Sequence, residues 1–211
     1  MGFCPLCHDR NLSSLDSGLR KFWICLECFL IAGDSRQFLD AATEKARYET
    51  HENDMESTGY RQHLSRILNP MKDILPPQSQ GLDFGCGPGP LLIKMFQELG
   101  FEMSGFDPFF LNDASVLEKK YDFIAATEVV EHFHSPRREF ELISKLIRPG
   151  GYVGIMTEMW SSAEDFPHWY YIKDPTHVSF YHANTMRWIA TKFDWKIKII
   201  ASRICIFQAN D

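Results

Sequence analysis

Short apolar stretches bounded by turn residues alternate with segments of helical spacing along most of this chain. Gly81-Leu82-Asp83-Phe84 is an apolar run broken by one acid, and Leu91 to Leu99 follows it with helical periodicity. Phe101 to Phe106 is a second short run. Tyr121 to Glu128 is a third, followed by a helix that opens at Ser135-Pro136, carries Phe140, Ile143 and Ile147 as its stripe, and stops at Arg148-Pro149-Gly150-Gly151. Proline suits the first helical position, where its missing N–H costs nothing. Gly151 to Thr157 predicts another strand, Asn184 to Phe193 a helix, and Trp195 to Gln208 two more strands. Such alternation predicts an α/β domain whose parallel sheet carries helices on both faces. Upstream, Ala41 to Tyr48 and Tyr60 to Leu68 read as helices, and Pro76-Pro77 ends that segment. The expected partition is therefore 1–40, a 41–80 helical cap and an 81–211 main domain.

The glycines after the first run narrow the chemistry. Asp83-Phe84-Gly85-Cys86-Gly87-Pro88-Gly89-Pro90 places three glycines at alternate positions where a strand turns into a helix. A bare backbone there lets a ligand approach closely. The dinucleotide fingerprint requires a third glycine where Pro90 stands, and no Gly-Lys-Ser/Thr of a P-loop is present. Asp107-Pro108 closes the second run about 20 residues later, where an acid can accept hydrogen bonds from both hydroxyls of a ribose.

Cysteine spacing changes the picture of the first 40 residues. Cys4-x2-Cys7 and Cys25-x2-Cys28 are separated by 17 residues, a spacing read as a four-thiolate zinc site. The stretch from Ser13 to Trp23 fits a hairpin between them, and the ion supplies folding energy that so short a segment lacks. A closed four-sulfur site leaves no position for substrate, so its expected role is structural. His8 reads as a solvated neighbour and Cys205 as core. Cys86, inside the glycine turn, is expected to offer its backbone N–H rather than its thiol.

The formal net charge is -6, from 22 Lys and Arg against 28 Asp and Glu. Residues 1–80 hold 9 basic and 11 acidic side chains, and the remainder 13 and 17, so neither part carries a basic footprint. That argues against DNA and lowers RNA as a partner. No apolar run approaches the length of a membrane span, and the first residues show no signal-peptide pattern, so the expected location is cytoplasmic.

Glu128-Val-Val-Glu131-His132-Phe133 and Leu146-Ile-Arg-Pro-Gly-Gly-Tyr152 complete the set. With the glycine turn and Asp107, they resemble successive motifs of class I S-adenosylmethionine-dependent methyltransferases. The cysteine pairs and Asp174-Pro-Thr-His177-Val extend the likeness to small bacterial members with an N-terminal zinc segment. The resemblance implies a Rossmann-like sheet and S-adenosylmethionine as cofactor. The residues implied to hold it are Asp83, Gly85, Cys86, Gly87, Asp107, Pro108 and Glu128, with the backbone of Gly85 to Gly87 on the aminoacyl part. Helices ahead of the sheet fold over the cofactor in related enzymes, which brings in Tyr48, His51, Asn53, Tyr60 and Arg61, with Arg61 on the methionine carboxylate.

Only 14 residues, Pro108 to Tyr121, separate the second run from the third, too few for a helix and a strand with their loops. The third-strand region is therefore shortened, and the adenine-edge acid has only Asn112 and Asp113 as candidates. Phe109 or Phe110 could stack on the purine instead. Beyond the fifth strand, Met159 to His182 is rich in aromatics around Asp174 and His177. This insert is the expected acceptor pocket, with His177 as base, Asp174 orienting it or binding substrate, and His132 as rival base. Glu128, Glu131 and His132 also resemble the metal-binding E-x-x-E-H of ubiquinone-pathway O-methyltransferases, which leaves a Mg²⁺ ion open. The expected reaction is methyl transfer to a small-molecule O or N acceptor. An RNA methyltransferase with a basic face from Arg20, Lys21, Arg36 and Arg47 is the first rival. A non-catalytic binding module, its pocket plugged by Trp169 or Tyr170, is the second.

Overall fold

The computed structural model describes residues 2–50 and 57–211. His51 and Asn53 lie outside the described residues. Strands β1 (Leu12–Asp16), β2 (Lys21–Cys25) and β3 (Ile31–Gly33) form an antiparallel meander. Helix α1 (Ala41–Glu49) is capped by Asp40, whose carboxylate accepts the Thr43 N–H, and α2 (Thr58–Lys72) is capped by Ser57. The main sheet then begins with β4 (Gln80–Phe84), α3 (Leu91–Glu98) and β5 (Glu102–Phe106). It continues through β6 (Tyr121–Thr127), α4 (Pro136–Leu146) and β7 (Ile147–Met156). After the insert, which contributes the two-residue β8 (Ser179–Phe180), come α5 (Ala183–Phe193), β9 (Trp195–Ile200) and β10 (Ile204–Ala209).

The six-stranded sheet has the order β5-β4-β6-β7-β10-β9, parallel from β5 to β7, with β10 and β9 antiparallel. Its central strands are buried on both faces, as parallel sheets require. In β6 the period of two sorts the core: Phe123 and Ala125 face α2 and α3, whereas Ile124 and Ala126 face α4 and α5. Helices thus cover both faces, as the pattern predicts. Between β5 and β6 the described residues form no strand, and Ala114–Glu118 make a 3-10 turn capped by Asp113. The shortened region has lost its strand outright, and β5 is the sheet's edge.

The first 40 residues do not stand apart from the rest. β3 pairs antiparallel with β8 of the insert, so the N-terminal meander becomes a four-stranded sheet, β1-β2-β3-β8. Phe22, Ile24 and Ile31 bury themselves with Trp160, Phe166, Tyr171 and Phe180 of the insert. Cys4, Leu6, Cys28 and Leu30 join the core beneath α4 and α5. The boundary expected at residue 40 is crossed by a shared sheet and two shared cores.

Candidate active site

The four cysteines converge. Cys4 Sγ lies 3.5 Å from Cys28 Sγ, Cys7 Sγ lies 3.4 Å from Cys25 Sγ, and all four sulfurs fall within 4.8 Å of one another. Each pair sits in the same turn. The His8 N–H donates to the Cys4 carbonyl, the Phe29 N–H donates to the Cys25 carbonyl, and both His8 (φ 66°) and Phe29 (φ 60°) are left-handed. Neighbouring sulfurs and burial push the Cys28 thiol far above its ordinary range. Four sulfurs at this spacing form a donor set that a tetrahedral Zn²⁺ fits. His8 is exposed and Cys205 is buried in the core, as expected.

The carboxyl ends of β4, β5 and β6 open on a cleft of about 560 Å³. Open α/β sheets bind ligands there. The glycine turn makes one wall: Gly85 (φ 83°) and Gly87 (φ 61°) are left-handed, and a Cβ on Gly85 would stand 2.2 Å from Val129 Cγ2. The turn's amides are already engaged, however. The Gly85 and Cys86 N–H groups both donate to the Phe106 carbonyl, and the Gly87 N–H donates to Asp107 Oδ2 at 3.0 Å. Of the backbone expected to hold the aminoacyl part, the N–H groups of Gly85, Cys86 and Gly87, the Cys86 donor among them, are spent on welding the turn to the tip of β5. In the first turn of α3 the Leu91 N–H donates to the Gly89 carbonyl, which leaves the Leu92 and Ile93 amides, uncapped by any side chain, as donors for an anion.

Asp107 is buried at the strand tip and does more than the sequence suggests. Its Oδ1 accepts the Phe109 and Phe110 N–H groups at 2.8 and 3.1 Å, while Oδ2 takes Gly87. With about four lone-pair sites on a carboxylate, room remains for one ribose hydroxyl, not both. Asp83 is buried beside it. Burial and then the Asp107 charge push its carboxyl up to about 7. Pro108, Phe109, Phe110 and Glu128 line the cleft. Asn112 and Asp113 do not, and Asp113 spends its carboxylate on the Ser115 N–H. Tyr48 and Tyr60 close the cleft from α1 and α2, as helices ahead of the sheet are expected to. Arg61 instead pairs with Glu98 at 2.7 Å on the exposed side.

A second hollow of about 510 Å³ shares Glu128 and His132 with the cleft and adds Glu131, Asp174 and His177. Three hydrogen bonds to backbone carbonyls align it. The Val178 N–H donates to the Glu131 carbonyl, Ser179 Oγ to the Phe133 carbonyl, and Tyr181 Oη to the Val130 carbonyl. The insert therefore runs alongside residues 130–133, and His177 meets His132 edge-on with ring centroids 4.9 Å apart. From the other side Arg20 of the N-terminal meander reaches in. Its Nη1 donates to the Ile172 and Asp174 carbonyls at 3.1 and 3.0 Å, and its Nη2 to the His177 carbonyl at 2.8 Å.

His177 Nδ1 lies 2.8 Å from the Tyr171 carbonyl, and His132 Nδ1 lies 3.1 Å from the Thr176 carbonyl. A carbonyl partner places the proton on Nδ1 and leaves Nε2 as the acceptor. Burial lowers both imidazoles, with His132 pushed down to about 3 by burial and by His177. Asp174 holds His177 through the backbone, its carbonyl accepting the His177 N–H at 3.2 Å, and its carboxylate is engaged by other partners. Its Oδ1 caps the Thr176 N–H and hydroxyl, and its Oδ2 accepts Arg47 at 2.9 Å. Burial opposes its charge, but Thr176 and Arg47 hold the carboxylate below its ordinary range.

Tyr171 was visible in the sequence only as one aromatic among several. Its hydroxyl donates to Glu131 Oε1 at 2.5 Å and lies 3.3 Å from Glu128 Oε2. Burial and then Glu128 push the Glu131 carboxyl up to about 8. Glu128 itself has φ 49°, an uncommon left-handed backbone for a residue with a Cβ. Strain at a ligand-facing turn of this kind persists because the surrounding structure over-determines it.

An open α/β sheet with a glycine-walled cleft at its strand tips and an acid on the neighbouring strand defines a nucleotide-cofactor enzyme. Residues 55–198 match the family described as a methyltransferase domain, and the chain belongs to that family. It is an S-adenosylmethionine-dependent methyltransferase. The fold is similar to a SAM-dependent methyltransferase from Archaeoglobus fulgidus, at 20% identity and a TM-score of 0.54 over 70% of this chain and 93% of that one. An O-methyltransferase family protein from Burkholderia thailandensis matches at 13% identity and a TM-score of 0.55, over 80% and 63% of the two chains. A chain of the Haloferax volcanii complex containing the Trm112 methyltransferase activator matches at 11% identity and a TM-score of 0.57, over 80% and 98%. No curated protein matches the chain in sequence. Among the described residues no helix is long and apolar enough to cross a membrane.

Proposed function

We propose that this enzyme methylates an O or N atom of a small polar molecule seated between Glu128 and the His132–His177 pair. Bound S-adenosylmethionine supplies an electrophilic methyl group on a sulfonium. The first-turn amides of α3 would receive its carboxylate, Asp83 its ammonium group, Asp107 one ribose hydroxyl, and Phe109 or Phe110 the purine face. Glu128 joins cleft and hollow, so it would stand near the sulfonium. The acceptor's proton then has two neutral imidazoles to go to, each with Nδ1 tied to a carbonyl. That paired anchoring carries the proposal. Cys4, Cys7, Cys25 and Cys28 would hold a structural Zn²⁺, and the thiol state it requires suits the reducing cytoplasm.

A small acceptor is favoured over RNA because three of the four cations of the basic face that RNA would need are engaged within the chain, which leaves Lys21 exposed. Arg20 is turned onto carbonyls, Arg36 binds Asp34, and Arg47 binds Asp174. A plugged, non-catalytic pocket is disfavoured too: Trp169 packs on Phe166 and Tyr171, and Tyr170 is 57% exposed at the rim. Calorimetry with S-adenosylhomocysteine should give one site per chain, weakened at least tenfold in Asp107→Ala. Methyl-labelled cofactor should mark a metabolite fraction and not RNA. No heat with the wild-type chain, or label confined to RNA, refutes the proposal.

A further inference from the structure

Two glutamates and two histidines meet at the floor of the second hollow, and one oxygen of each glutamate lacks a hydrogen-bond partner. Glu131 is 1% exposed; its Oε1 takes the Tyr171 hydroxyl, and its Oε2 has no hydrogen-bond partner. Glu128 Oε1, 3.4 Å from His63 Nε2, likewise accepts no hydrogen bond. A phenol carries one proton, so it cannot satisfy two carboxylates, and a buried carboxylate oxygen left bare is costly. His132 and His177 stand beside Glu131: one ligand atom of each of the three residues lies within 4.8 Å of the others.

The imidazoles are set up as ligands are. Each gives its Nδ1–H to a backbone carbonyl, Thr176 for His132 and Tyr171 for His177. That arrangement fixes tautomer and ring plane and leaves the Nε2 lone pair bare, which is the outer-shell pattern of metal-binding histidines. We propose that Glu131, His132 and His177 bind one divalent first-row transition ion at the floor of the hollow. Ordinary side-chain rotation brings atoms at this spacing onto an ion with bonds of about 2.0–2.2 Å. Two nitrogens and one oxygen suit Zn²⁺, Fe²⁺, Co²⁺ or Mn²⁺ rather than Mg²⁺ or Ca²⁺, which take oxygen ligands.

The ligand set differs from the E-x-x-E-H reading of the sequence. Glu128 is not among the converging atoms; it faces His63 and the Tyr171 hydroxyl, and His177 of the insert takes its place. All three ligands line the hollow, so the remaining coordination positions open toward the acceptor. An acceptor hydroxyl on that open face would give up its proton more readily, and with both Nε2 lone pairs on the ion the proton goes to Glu128, whose Oε1 has no hydrogen-bond partner, in place of the imidazoles. This last consequence rests on the methyl-transfer reading; the metal site does not.

Metal content and optical spectra test the proposal without an acceptor. The 211-residue chain, with zinc retained at the cysteines, is titrated with Co²⁺, and metal per chain is counted by plasma mass spectrometry. The expected result is a second ion with weak d–d bands and no thiolate-to-metal charge transfer. Glu131→Gln and His177→Gln should each weaken that ion at least tenfold while leaving the cysteine-bound zinc and S-adenosylhomocysteine binding in place. His177→Gln is the variant to rely on if Glu131→Gln folds poorly, since His177 lies on the loop side of the hollow. One ion per chain in the wild type, or a second ion indifferent to His177→Gln, overturns the site. A second ion in a chain that transfers no methyl group would refute the functional reading and leave the metal site standing.

Discussion

The cleft at the strand tips and the second hollow share Glu128 and His132 yet are built on different principles. The cleft is assembled from neighbours in sequence: a turn, the helix after it, and the tip of the next strand, with Asp107 tying Gly87 to Phe109 and Phe110. The hollow is assembled across more than a hundred residues, from Arg20 of the first hairpin, Glu131 and His132 after β6, and His177 in the insert. The first kind of site survives as long as one turn survives. The second depends on everything that holds the N-terminal meander against the insert.

Loss of the zinc proposed at the four cysteines should expose that difference most. Stripping such an ion with a strong chelator, or Cys28→Ser, forfeits binding energy on the order of 10 kcal/mol. The β1-β2-β3-β8 sheet should open while the cleft keeps its product analogue. Hydrogen exchange should show protection lost over residues 160–181 and retained over β4 to β6. Equal loss in both regions would break the comparison.

Gly85→Ala attacks the local site instead. A left-handed backbone together with a Cβ 2.2 Å from Val129 should destabilise the fold by about 2–5 kcal/mol in chemical denaturation. Adding Val129→Ala should restore only part, because the backbone strain stays. Arg20→Gln should cost less, about 2 kcal/mol, since it removes hydrogen bonds from a charged donor. Its signature is regional: faster exchange over 172–178 with an unchanged affinity for S-adenosylhomocysteine.

The smallest effect is a slope. Asp83 and Glu131 titrate near 7 and 8 in the folded chain, above their values in the unfolded chain. The folded state therefore holds these protons more tightly. The stabilisation is fully present below about pH 4 and is lost as pH rises toward 8, by at most about 1.4 kcal/mol per pH unit for each group. Thermal melts of the ligand-free chain across this window should show the fall, and Asp83→Asn should flatten its lower part.

Legibility in the sequence followed the same division. Strand and helix placement in the main domain came from the period of apolar positions, with ends shifted by a few residues, as in Thr58–Lys72, where the helix runs beyond Leu68 through Pro70. The glycine turn and Asp107 were readable because a short motif and its geometry are the same thing. The destination of the amides at 85–87 was not readable, since hydrogen-bond partners at Phe106 and Asp107 depend on how tightly the strand tips approach. Arg20 and Arg47 looked like surface cations, and nothing local marks a guanidinium that will turn onto carbonyls 150 residues away. Tyr171 was hidden for a similar reason: its role exists only where Glu128 and Glu131 face it.

Arg20 grips oxygen atoms that every amino acid carries. The segment it holds can therefore exchange the side chains at 173, 174 and 177 without loosening the grip. A lineage of such enzymes could retune what it recognises by point substitution in this one bend, its frame held from outside by a separate hairpin.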